Sequence, residues 1–328
     1  MKHRLLPLFA LLLLSATTQA ASEFDNPDTI VVARDGTGQF RNIDDAIEVC
    51  RAFMDYHKVI YVKRGTYKEK LILPQWLQNI EICGEAPGTT IITWDDHANI
   101  RTAERPNGIG TFRTYTLNIQ GNDITLKNIT IENNAARLGQ AVALFTQGDR
   151  LHFVNCRFLG NQDTVYTGTE GTRLLFDHCY IEGTTDFIFG PSTAWFEQCQ
   201  IYCKANSYIT AASTPQTRNY GYVFNQCTIT AAPGVTQVYL GRPWRDYGHT
   251  LFMHCTLPRE IRPEGWHHWE KHREQTARYQ EFENKGEGAA TERRASWSRQ
   301  LTKKEAKEIT LERVFQLSDN WLPTVSGK

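Results

Sequence analysis

Cys-x-x-C pairs are missing from this 328-residue chain, and so is any Gly-x-Ser-x-Gly elbow. The first absence removes the usual structural-zinc spacing, and the second removes the strained strand-to-helix turn of a serine esterase. Neither sign of charge dominates, with 36 Lys and Arg against 36 Asp and Glu. That balance gives no reason to expect a nucleic acid or a charged membrane surface as partner. Beyond Leu14 no apolar run is long enough to cross a membrane.

What is present begins with Met-Lys-His-Arg, an apolar run from Leu5 to Leu14, and Thr18-Gln19-Ala20. Two basic residues, a short apolar stretch and small residues at the cleavage positions predict a signal peptide over residues 1–20. The mature chain is then 21–328, secreted or periplasmic. No cysteine lies near the cleavage position, so no lipid anchor is expected.

Eight cysteines in an exported chain suggest disulfides at first sight. Five of them share one local frame: Asn-Cys156-Arg-Phe, His-Cys179-Tyr-Ile, Gln-Cys199-Gln-Ile, Gln-Cys227-Thr-Ile and His-Cys255-Thr-Leu. Cysteine in such a frame behaves as a small buried hydrophobe recurring once per turn. A core cysteine stack is the expectation, with a disulfide between stacked neighbours left open. His267-His268 beside Trp266 reads as a surface turn, and no metal or cofactor is expected.

The wider frame, apolar-x-Phe-x-x-Cys-x-apolar, recurs at 151–158, 174–181, 194–201, 222–229 and 250–257, with an earlier copy at 124–131 carrying Ile129 for cysteine. Intervals of 27, 23, 20, 28 and 28 residues describe coils with one constant strand and loops of varying length. Short period-2 strands on such a repeat predict a single-domain, all-β, right-handed parallel β-helix. A leucine-rich repeat would show an asparagine and leucine ladder, and a propeller blade would need about 40 residues. Residues 58–67 and 79–84 read as the first coils.

An open solenoid end must be covered. At the N-terminal side, Ile43, Ala46, Ile47 and Cys50 form one apolar helical face, with Asn42 as the expected N-cap. At the other end Thr302-x-x-Glu305 is a capping box. Tyr279, Phe282, Trp297, Leu311, Val314, Phe315 and Trp321 predict a C-terminal tail packed along the solenoid.

Asp163 and Asp186 each follow their cysteine by seven residues and stand 23 apart. If one coil takes 23 residues, the two carboxylates lie on neighbouring strands, about 4.8 Å apart in backbone spacing. Two acids that close cannot both ionise cheaply, which is one way to obtain an acid and a base together.

Four blocks now stand in order: Gln140-Ala-Val-Ala-Leu144, Gly160-Asn-Gln-Asp-Thr-Val-Tyr166, Gly183-Thr-Thr-Asp-Phe-Ile-Phe-Gly190 and Tyr239-Leu-Gly-Arg-Pro-Trp244. Together with Val32-Ala-Arg-Asp-Gly-Thr-Gly38, Gly265-Trp266 and Trp321-Leu-Pro323, they resemble the signature blocks of the pectin methylesterases over essentially the whole mature chain. The resemblance implies a β-helix fold and hydrolysis of the C6 methyl esters of homogalacturonan, a neutral polymer when methylated, with release of methanol; a monomer without cofactor is the separate expectation. It implies Asp186 as nucleophile, Asp163 as acid and then base, Gln140 and Gln162 as oxyanion donors, and Arg242 as the cation beside Asp186. Trp244, Tyr166, Phe189 and Thr111 match its sugar-groove positions. Aromatic faces suit the C–H face of a pyranose, although a phenylalanine such as Phe189 reads equally as core. Val165, Thr185 and the segment 135–139 depart from the usual pattern, which bears on subsite preference. Two other readings remain: another β-helix pectin enzyme (a lyase or an inverting galacturonidase), and a non-catalytic pectin-binding protein.

Overall fold

The computed structural model describes residues 23–269 and 272–326, so the expected signal peptide lies outside the described residues. The chain winds into a right-handed parallel β-helix. Among the described residues it forms three parallel sheets, of eleven, seven and seven strands. Each full coil contributes one strand to each sheet; one coil, for example, runs through Arg173–Asp177, Tyr180–Gly183 and Ile188–Gly190. The strand Leu151–Val154 pairs with Arg173–Asp177, and Thr193–Glu197 with Tyr222–Asn225, which is the register the Phe-x-x-Cys frame predicts.

That frame has a physical cause. The residue before each repeated cysteine sits at a tight corner in the left-handed region: Asn155, His178, Gln198, Gln226 and His254 have φ between 49° and 56°. Each corner N–H donates to a carbonyl of the following coil, as Asn155 does to Asp177 and His178 to Glu197. The next side chain points inward where room is short, and cysteine fits. The phenylalanines stack above one another: Phe176–Phe196, Phe196–Phe224 and Phe224–Phe252 have ring centroids 4.7, 4.2 and 4.3 Å apart.

All eight cysteines are free thiols, and all but Cys83 are buried. The stacked ones donate to carbonyls of the preceding coil, Cys179 to Phe153 and Cys199 to Phe176, each at 3.3 Å. Burial holds the Cys156, Cys199 and Cys255 thiols well above the ordinary range, so they are poor nucleophiles. Thiol titration of the native protein is expected to detect Cys83 promptly and the other seven only in denaturant. Fewer than eight thiols in denaturant would mean that stacked neighbours are oxidised.

The short helix Ile43–Glu48 buries Ile43, Ala46 and Ile47, and Cys50 beyond it is buried as well. Its start differs from expectation. Asn42 occupies the N-cap position but makes no capping bond; its amide donates to Asp45 Oδ2 instead. The carboxylate of Glu69, from the first coil, accepts the N–H groups of Ile43 and Asp44 at 3.0 Å. A full negative charge at the helix start outcompetes a neutral amide there.

The tail follows the eleven-stranded sheet. Its capping box forms, with the Thr302 N–H donating to Glu305 and the Glu305 N–H to Thr302. Ala306, Val314, Phe315 and Val325 pack on Leu175, Trp195, Val223 and Leu251, which face outward from that sheet. Ionic ties hold the end down. Arg173, nearly buried, pairs with both Asp149 and Asp319 at 2.6 Å, and the Ser326 N–H donates to Asp177 at 2.7 Å.

Candidate active site

The cleft lies on one of the seven-stranded sheets. Pairing there aligns Asn118, Phe145, Tyr166, Phe189 and Ala211 on successive coils. The pairing of Thr210 with Gly241 extends this outward row to Arg242. Along the alternate row, Leu144, Val165 and Ile188 enter the core, which is the period-2 alternation of a strand.

Two residues before Val165 and Ile188 stand Asp163 and Asp186. Both occupy the left-handed region, with φ of 67° and 48°, a conformation aspartate tolerates better than most residues. Their N–H groups donate to Thr185 and Tyr208 on the next coil, at 3.1 and 2.9 Å. Backbone bonding thus pins each acid to the coil after it, and the Val165–Ile188 register makes them neighbours.

Arg242 reaches back across the Ala211 rung, where a small side chain leaves the path open. Its Nε donates to Asp186 Oδ1 at 3.0 Å and its Nη2 to Oδ2 at 2.6 Å, a two-pronged match of planar groups. Burial pushes the Asp186 carboxyl above the ordinary aspartate range, and the Arg242 fork and charge pull it back. Asp163 stands well above that range, because burial dominates and the Asp186 charge adds to it, while Arg242 opposes. The pair is therefore unequal: one acid has a cation's hydrogen bonds and, among the described residues, the other does not.

Thr111, Gln140, Gln162, Phe189 and Trp244 all line the same cleft of about 390 Å³ with the two acids and Arg242. The glutamines sit on adjacent coils, tied where the Ala141 N–H donates to the Gln162 carbonyl at 3.0 Å. Phe189 is only 4% exposed, but it belongs to a cluster outside the main core, with Phe145, Ala211 and Trp244. Tyr166 sits one rung behind, its ring 4.9 Å from Phe189 and 5.0 Å from Phe112.

Sequence reasoning missed Phe112, Ala211, Trp269 and Tyr208. The first three line the cleft, and Tyr208 stacks on Arg242. Continuing the row from Asp163 to Asp186 by one more coil would have found Tyr208. Of His267-His268, expected as a surface turn, His268 is exposed but His267 is half-buried. Trp266 is buried, donating to Glu281, and His267 packs against Tyr208 and Tyr239.

Residues 29–318 match the Pectinesterase family model. Pectinesterase 31 of Arabidopsis thaliana is 38% identical over 84% of this chain and 88% of that protein. Probable pectinesterase/pectinesterase inhibitor 21, also from Arabidopsis thaliana, is 34% identical over 93% of this chain, which spans 47% of that longer protein. Among solved structures, pectin methylesterase from carrot superposes with a TM-score of 0.82 at 30% identity, covering 91% of this chain and 97% of the other. For PemA from Erwinia chrysanthemi the values are 0.77 and 27%, covering 92% and 99%. Similarity of this extent spans the three sheets and the cleft alike, and the chain belongs to the pectinesterase family.

Proposed function

We propose that this chain hydrolyses the C6 methyl esters of polygalacturonate, releasing methanol and leaving carboxylates on the polymer. The observation that carries the reading is the Arg242 fork on Asp186 beside Asp163, which takes no hydrogen bond from a cation among the described residues, in a cleft walled by aromatic rings. A relative that is also a pectin methylesterase has been solved with a hexasaccharide, at 27% identity and a TM-score of 0.77. We extend the proposal to export through the expected signal peptide and to action as a monomer on the polymer.

In the first half-reaction, an ionised Asp186 oxygen attacks the ester carbonyl carbon. Negative charge develops on the carbonyl oxygen, and the amide NH₂ groups of Gln140 and Gln162 are the neutral donors at hand. One such donor is typically worth on the order of 10²–10³ in kcat. Asp163, kept protonated by burial and by its neighbour's charge, passes its proton to the methoxy oxygen as the C–O bond breaks and methanol leaves. Asp163 is now a carboxylate. It takes a proton from water, whose oxygen attacks the acyl-enzyme carbonyl, and Asp186 is expelled as a carboxylate. Both aspartates then stand as they began.

An inverting glycosidase needs its carboxyl groups roughly 6.5–9.5 Å apart, wider than the strand spacing that separates these two coils. The deciding assay uses highly methylated homogalacturonan and follows methanol, new reducing ends and unsaturated products together. Methanol alone is expected. Reducing ends or unsaturated products without methanol would replace the esterase by a depolymerase, and polymer binding with no product would make the chain a binding protein.

A further inference from the structure

Trp269 carries a large side chain on a backbone with φ of 59°, a region where bulky residues are strained. Its N–H donates to Nδ1 of His267 at 3.1 Å. The N–H of His267 in turn donates to the carbonyl of Gly241 at 3.1 Å, and Gly241 is followed by Arg242. The circuit then closes through side chains. The Trp269 ring lies 3.7 Å from the Arg242 guanidinium carbon, and Tyr208 covers the opposite face at 3.9 Å.

We infer that His267 is a positioning residue: by accepting the Trp269 N–H it seats the indole on Arg242 and, with Tyr208 opposite, fixes the fork that holds Asp186. The inference rests on the reading of Asp186 as nucleophile. Sandwiching removes the guanidinium faces from water and leaves only its edge for hydrogen bonding, and that edge meets the Asp186 carboxylate. Cation–π attraction on both faces supplies the clamp.

Nδ1 can accept only while the imidazole is neutral. The groups that face His267 bear on this. Tyr208 and Tyr239 lie 5.5 and 5.4 Å away, centroid to centroid, and His268 stacks at 4.9 Å. Burial first, then the charges of His268, Arg242 and Arg262, hold His267 below the ordinary histidine range. The acceptor state is thus favoured where the carboxylates work.

Two variants separate hydrogen bonding from packing. His267→Phe keeps a ring against the tyrosines but removes the acceptor. His267→Asn keeps an acceptor two residues ahead of the N–H, the arrangement of an Asx turn. In methanol-release assays, kcat of His267→Phe is expected to fall about five- to tenfold. The acid limb of its kcat/KM profile should move to higher pH, because a loosened fork holds Asp186 ionised less well. His267→Asn should stay near wild type in both. A wild-type acid limb in His267→Phe, or an equal defect in His267→Asn, overturns the positioning role, even if the melting temperature drops. Should the wild-type protein release no methanol, the esterase reading falls by itself. The role of His267 is then decided by Arg242 Nε–H exchange. Protection in wild type and His267→Asn but not in His267→Phe sustains it, and equal exchange in all three overturns it.

Discussion

Asp186→Asn is expected to reduce methanol release by a factor on the order of 10⁴–10⁶, the range seen when a covalent nucleophile is removed, while the protein still folds and binds polymer. An amide oxygen is too weak a nucleophile to open an ester. The fold should tolerate the change. Asn accepts the left-handed backbone at φ 48° as readily as Asp, and the Asp186 N–H to Tyr208 is a backbone bond the substitution leaves in place. Removing the Asp186 charge also removes one of the two influences that raise Asp163, so the carboxyl left behind should ionise at lower pH than in the wild type. Measuring methanol, polymer binding and the unfolding midpoint on one preparation checks turnover, binding and folding, and titrating the Asp163 carboxyl checks its ionisation. Turnover close to wild type would strip Asp186 of its role.

The β-helix was legible because its rungs repeat. One inward phenylalanine, one left-handed corner and one small inward residue recur in five successive coils, and Cys156, Cys179, Cys199, Cys227 and Cys255 report that corner directly. The aspartate pair was legible for the same reason, since identical offsets from two cysteines place Asp163 and Asp186 in register. What escaped are contacts with no period. Glu69 caps the first helix from another coil, and its competition with Asn42 has no local signature. Trp269 folds back over Arg242 from a loop whose length follows no repeat. Phe189 was ambiguous because a buried aromatic reads the same on either side of a sheet; only the register, which places it beside Tyr166 and Ala211 on the outer row, settles its side.

Arg242→Ala should cost about 10²–10⁴ in kcat/KM, corresponding to two charge-assisted hydrogen bonds of roughly 1.5–3 kcal/mol each. The pH profile is the sharper test. Arg242 lowers Asp186 through its hydrogen bonds and its charge, so without it Asp186 ionises at higher pH. At any acidic pH a smaller fraction of enzyme then holds the attacking carboxylate, and the acid limb moves up. Arg242 also lowers Asp163 by charge alone. Its loss lets Asp163 keep the proton for methanol to higher pH, so the alkaline limb moves in the same direction, the whole profile shifting upward as well as falling. Arg242→Lys should recover part of the charge effect but not the two-pronged geometry, because an ammonium is a point donor. An Arg242→Ala protein with lower activity but an unmoved acid limb would mean that the fork orients Asp186 without setting its ionisation.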